Sequence, residues 1–191
     1  MFIADLAERL KFWRKVDRIG PDIALTHWRL YFPTTMKRLC RKKFGRFGNG
    51  AEFRPGAYAV NCSKIEIGSR VIIRPGCMLF ACPGGSEGRI IIEDDVLLGG
   101  AIHIYTSDHE FIDPTRPIID QGHREQKDVI IRRGAWVGAN AVLLSGVEVG
   151  ANAVVGAGSV VTRSVLPGTI VAGNPARTIK SREQIVAAKP A

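Results

Sequence analysis

Three of the chain's four histidines, His103, His109 and His123, fall within one stretch, "IHIYTSDHEFIDPTRPIIDQGHREQKD". An imidazole titrates near ~6.5 and suits general-base work at neutral pH better than any other side chain. For His109 to work as a base, its second ring nitrogen must be held by an acceptor, and Asp108, Glu110 or a backbone carbonyl are all within reach along the chain. Ser107 is near enough to assist, although a short polar residue in a loop is often structural. His103 reads equally as a substrate-lining or a structural residue, and His123 and His27 are weaker candidates. The cysteines, Cys40, Cys62, Cys77 and Cys82, form no Cys-x-x-Cys pair and sit in no metal-ligand spacing. Reduced thiols and no bound metal are expected.

What positions these residues is a repeat. Residues 131–166 divide into IRRGAW, VGANAV, LLSGVE, VGANAV, VGAGSV and VTRSVL. The first place is always aliphatic (Ile131, Val137, Leu143, Val149, Val155, Val161), and the fifth is small or β-branched (Ala135, Ala141, Val147, Ala153, Ser159, Val165). Gly or Asn holds the fourth place from Gly134 to Gly158, until Ser164. Two inward places per six, with turn formers between them, fit neither a helix nor a simple strand. They predict short strands joined at tight corners and stacked as a solenoid. Upstream, Ile67, Ile73 and Leu79, then Ile92, Leu98 and Ile104, carry the same phase, so Cys77 reads as a core residue and 81–89 as a short insertion. The phase then fails until Val129. A connection this long, rich in Pro114, Pro117, Gly122 and apolar residues, predicts a functional loop over about 110–128 that packs against a neighbouring subunit.

"VGANAVLLSGVEVGANAVVGAGSVVTRSVLPGTIVAGNPARTI" resembles the hexapeptide-repeat acyltransferases, in particular their maltose/galactoside-type and polysaccharide O-acetyltransferase branch. The likeness covers about residues 60–180. It implies a mainly β fold, a left-handed parallel β-helix, assembled as a homotrimer with active sites between subunits. It also implies acetyl-CoA as acyl donor and a sugar or glycan acceptor. "TSDHEF" matches the segment carrying the family's catalytic histidine, which makes His109 the expected base, with His103, Ser107 and Asp108 lining the acceptor site. On the donor side the resemblance places Trp136 beside the pantetheine channel, Ala139 and Ala157 at small positions along it, Thr162 and Arg163 near the adenosine, and Arg177 and Lys180 near the phosphates. No Ser or Cys matches a covalent nucleophile, so direct transfer is expected. Gly76 stands where the galactoside enzymes carry an asparagine that helps bind the acceptor. A glycan of the cell envelope or an exopolysaccharide, or its precursor, is therefore expected rather than a simple galactoside.

The net charge of +9 is concentrated at one end: residues 1–50 hold 12 Lys and Arg against 4 Asp and Glu. Phe2, Leu6, Leu10, Trp13 and Val16 mark one helical face, and further helical pieces are expected either side of Pro33. Residues 1–50 thus read as a basic helical segment, 51–180 as the β-helix and 181–191 as a tail. Two roles for the basic segment stay open: a helical cap on the first coil, or a surface lying on anionic lipid at the inner face of the membrane. No nucleic-acid motif is present. No apolar run approaches the ~20 residues of a membrane span, so a cytoplasmic protein is expected. N-acetylation of a nucleotide-linked amino sugar is the nearest rival activity. A metal-dependent hydratase built on three imidazoles, and a non-catalytic scaffold, are more distant ones.

Overall fold

The computed structural model describes residues 2–83, 87–181 and 184; the centre of the 81–89 insertion and most of the 181–191 tail lie outside them. Short parallel strands wind around one aliphatic core in three stacked faces. The first face stacks Arg46–Phe47, Ile65–Ile67, Ile90–Ile92, Val129–Ile131 and Glu148–Val149. The second stacks Tyr58–Val60, Met78–Phe80, His103–Tyr105, Val142–Leu143 and Val160–Val161. The third stacks Leu97–Leu98, Trp136–Val137, Val154–Val155 and Thr169–Ala172, closed by the antiparallel strand Arg177–Ser181.

The six-residue period has a direct physical expression here. All first-place and fifth-place residues from Ile131 to Val165 are buried, and so are their counterparts from Ile67 to Ile104. Each fully buried Val, Leu or Ile is worth about 1.5–3 kcal/mol of desolvation, so the stacked columns hold the coils together. The fourth place is the corner: Gly134, Asn140, Gly146, Asn152 and Gly158 all have positive φ, as do Gly76, Arg70, Asp95 and Ala101 in the earlier coils. An ionic ladder runs through two of the non-glycine corners, Arg70 and Asp95. Asp95 accepts hydrogen bonds from Arg70 and Arg133 on successive coils, and these hold its carboxyl below the usual range.

Ile131 pairs with Val149, three six-residue rows later, whereas Ile92 pairs with Ile131. The surplus is extruded at one corner as the segment from Thr106 to Asp128.

The N-terminal segment carries α1 (Phe2–Lys15), α2 (Ala24–His27), a 3-10 turn (Trp28–Tyr31) and α3 (Pro33–Lys43). Pro33 does not interrupt a helix; it opens α3 at the first helical position, after Phe32 in extended conformation. The inner face of α3 buries Met36, Leu39 and Cys40 on the first coils, where Phe44 meets Phe53 at 5.3 Å. Arg18–Ile19 adds an antiparallel strand beside Ala59–Val60. Among the described residues, no helix is long and apolar enough to cross a membrane.

Candidate active site

The extruded loop leaves and re-enters the core through one anchor. Thr106 is fully buried; its hydroxyl donates to the Gly88 carbonyl at 2.9 Å and accepts from the Cys82 N–H at 2.9 Å. Its carbonyl accepts from the Lys127 N–H at 3.2 Å and the Ser145 hydroxyl at 2.9 Å, so both ends of the loop are fastened at the same point. At the exit, the Asp128 carboxylate accepts from the Arg89 backbone N–H at 2.8 Å and from its guanidinium at 2.6 and 3.0 Å.

Beyond this anchor the two strands of the loop run side by side. The Arg124 N–H donates to the Asp108 carbonyl at 2.9 Å, and the Glu110 N–H to the Gly122 carbonyl at 3.1 Å. Between those rungs His109 faces His123, with ring centroids 4.5 Å apart and planes tilted by 31°. Ser107 Oγ lies 3.4 Å from His123 Nδ1. His109 is exposed, outside the inward columns. Among the described residues, no carboxylate or carbonyl hydrogen-bonds its ring. The Asp108 side chain faces solvent, while Glu110 accepts from the Phe111 N–H at 2.9 Å and sits 3.7 Å from Arg124.

His103 lies on the second face and turns to Tyr105, whose hydroxyl is 3.1 Å from His103 Nδ1. Tyr105 in turn stacks on Phe80 at 5.3 Å. The structure therefore groups His109 with His123 and Ser107, and His103 with an aromatic ladder. His27 belongs to the helical segment, where it meets Tyr31. Gly76 is a corner residue with φ +77°, so no side chain projects there toward a ligand. The apolar residues of the loop, Phe111, Ile112, Ile118 and Ile119, are all exposed. Sequence reasoning missed Thr106 and Arg89 altogether. The signal for His123 was present, since Gly122 and the prolines before it favour a turn that brings the chain back alongside its own start.

On the third face Trp136 projects outward, 49 % exposed, in register with Leu97 and Val154. The neighbouring corner is made of small residues by necessity: a Cβ on Gly99 would lie 2.4 Å from the Ala139 nitrogen, and one on Gly138 would lie 2.5 Å from the Ala157 nitrogen. The backbone nitrogens of Ala139 and Ala157 are thus what require glycine at positions 99 and 138. At the last coil Arg163 and Arg177 line one cleft of about 240 Å³ with Ser164, Val171 and Thr178. Thr162 is exposed next to Arg163, and Lys180 is exposed on the terminal strand opposite Ile170. Burial pushes the Cys40, Cys62 and Cys77 thiols up, Cys62 to about 12, so these three are protonated at neutral pH.

Comparison with known proteins gives these features a family. Residues 128–163 match the model of the bacterial transferase hexapeptide (six repeats). Nodulation protein L of Rhizobium meliloti (strain 1021) is 38 % identical over 138 residues, covering 72 % of this chain and 70 % of that protein. The chain belongs to the hexapeptide-repeat acyltransferases. A hexapeptide-repeat acetyltransferase of Vibrio cholerae, solved with acetyl coenzyme A, is 28 % identical with a TM-score of 0.69, over 84 % of this chain and 89 % of that one. A maltose O-acetyltransferase from Clostridium difficile 630 is 25 % identical with a TM-score of 0.68, over 92 % of this chain and 84 % of that one. The fold of this acyltransferase is accordingly the left-handed parallel β-helix, and its repeat is the scaffold on which the His109 loop is mounted.

Proposed function

We propose that this acyltransferase moves the acetyl group of acetyl-CoA to a sugar hydroxyl of a cell-envelope or exopolysaccharide glycan, or of its precursor. The carrying observation is the position of His109: exposed, outside the core columns, and faced by a second imidazole at the neck of an anchored loop.

In this reading the His109 imidazole accepts the proton of the acceptor hydroxyl as the oxygen attacks the thioester carbonyl. Backbone N–H groups supply the hydrogen bonds that stabilise the tetrahedral oxyanion. Collapse breaks the C–S bond, and the imidazolium returns its proton to the departing thiolate, giving an acetate ester and CoA. The protonated, buried thiols of Cys40, Cys62 and Cys77 leave these three unfit as acyl carriers, which supports direct transfer. His103, Ser107 and Asp108 stand on the acceptor side. Trp136, with the small corner at Ala139 and Ala157, borders the pantetheine arm. Thr162, Arg163, Arg177 and Lys180 meet the nucleotide end, where two guanidinium groups lining one cleft suit phosphate. The working form is a homotrimer in the cytoplasm, with each site shared between subunits and the apolar loop residues covered by the neighbour.

Thiol release from acetyl-CoA, measured against sugars, nucleotide sugars and lipid-linked glycans, tests the reading. Release with a hydroxyl acceptor that yields an ester is expected. An amide product formed only with amino sugars would replace O-acetylation by N-acetylation.

A further inference from the structure

We propose that the N-terminal segment is a docking surface for an anionic lipid bilayer. This inference stands apart from the acceptor reading, since it rests on residues remote from the His109 loop.

Residues 24–50 contain no Asp or Glu but include Arg29, Lys37, Arg38, Arg41, Lys42, Lys43 and Arg46. The inner face of α3 is committed to the core through Met36, Leu39 and Cys40, which turns Lys37, Arg38, Arg41 and Lys42 to solvent. Among the described residues neither these four nor Arg29 forms an ion pair; Arg41 has only the Asn49 side chain, at 3.4 Å. Arg46 pairs with Asp94 at 3.0 Å and Lys43 donates to the Val16 carbonyl, so the surface complementary to an external anion is made of the other five cations.

Apolar groups accompany the charge. Trp28, Tyr31 and Phe32 are 51 %, 65 % and 58 % exposed, while Leu30 of the same turn is buried. Trp28 packs edge-on against Phe32 at 6.4 Å, and the Arg29 guanidinium lies 5.7 Å from the Trp28 ring. A hollow of about 440 Å³ separates this turn from α3, walled by Trp28, Arg29, Thr35, Arg38, Leu39 and Lys42.

Rings beside unpaired cations match the layered chemistry of a bilayer surface. Aromatic side chains settle at headgroup depth, while Lys and Arg meet lipid phosphates. A nucleic acid would satisfy the charge, but it gives Phe32 and Tyr31 no burial without a base-stacking groove. The segment caps the first coil and the Arg163–Arg177 cleft lies at the last, so docking through the cap leaves that cleft at the end remote from the membrane.

The test is sedimentation of the full-length protein with unilamellar vesicles of phosphatidylcholine, alone or mixed with phosphatidylglycerol. Binding is expected only to the mixed vesicles and is expected to fall at about 0.5 M salt. Arg38→Gln with Lys42→Gln should weaken it about 30-fold. Trp28→Ala with Phe32→Ala should weaken it further at fixed charge. Thermal unfolding checks the fold of each variant, and Lys37→Gln with Arg41→Gln serves where the first pair unfolds. Equal binding to both vesicle types, no binding to either, or binding indifferent to these substitutions would overturn the proposal. So would equally tight binding of duplex DNA that depends on the same residues.

Discussion

The contact between His109 and His123 is the feature of the site that most needs an energetic explanation. With the rings 4.5 Å apart and tilted by 31°, the flat face of His123 limits how the His109 imidazole can turn, and orientation is what a general base requires. On the proposed mechanism His123, with Ser107 Oγ 3.4 Å from its Nδ1, would act as a positioning residue for His109. His123→Ala should lower kcat by about 10- to 100-fold, as loss of orientation does. The KM for acetyl-CoA should hold, and His123→Phe, which keeps a flat ring in place, should recover much of the loss. A role confined to loop stability would instead move the unfolding midpoint and leave the Phe variant no better than Ala. The sequence singles out His109 with Ser107 and Asp108 beside it, because all three are local. The partnership with His123 spans the whole loop and depends on backbone rungs at Asp108 and Gly122 that no period announces.

At the level of elements, the repeat was fully legible wherever its phase was unbroken, because each inward place contacts its equivalent in the next coil. What escaped was the joinery of the irregular part. Thr106 looks like an ordinary loop threonine, yet it is fully buried and satisfied by Gly88 and Cys82, residues from the previous coil. Asp128 is similar. Its partial burial disfavours the charged form, but hydrogen bonds from Arg89 more than offset that and hold the carboxyl below its usual range. A carboxyl depressed in the folded state stabilises the fold at pH values above its unfolded pKa of ~3.9, and that contribution disappears as pH falls through the lower folded value. Asp128→Asn should therefore cost about 1–3 kcal/mol at pH 7. In denaturant titrations the gap to the parent protein should narrow progressively below about pH 4. A gap that stays constant into acid would show that the charge of Asp128 is not what fastens the loop.

For the whole molecule, the sequence reveals the solenoid and its family but not whether a second copy completes the site. The first coil carries the basic cap, the loop projects from the middle, and the Arg163–Arg177 cleft lies at the far end. If each site takes its loop from one subunit and its donor cleft from the next, mixed trimers should complement. Co-expressing His109→Ala with Arg163→Ala/Arg177→Ala should restore about a quarter of the parent activity by random mixing, although each variant alone is impaired. Sites contained within one subunit would show no recovery. The central claim, that His109 removes the acceptor proton, is tested most directly by steady-state acetyl transfer from acetyl-CoA to a hydroxyl acceptor by His109→Ala. The account predicts a fall in kcat of about 10² to 10⁴ with the unfolding midpoint unchanged; a kcat equal to that of the parent enzyme would contradict it.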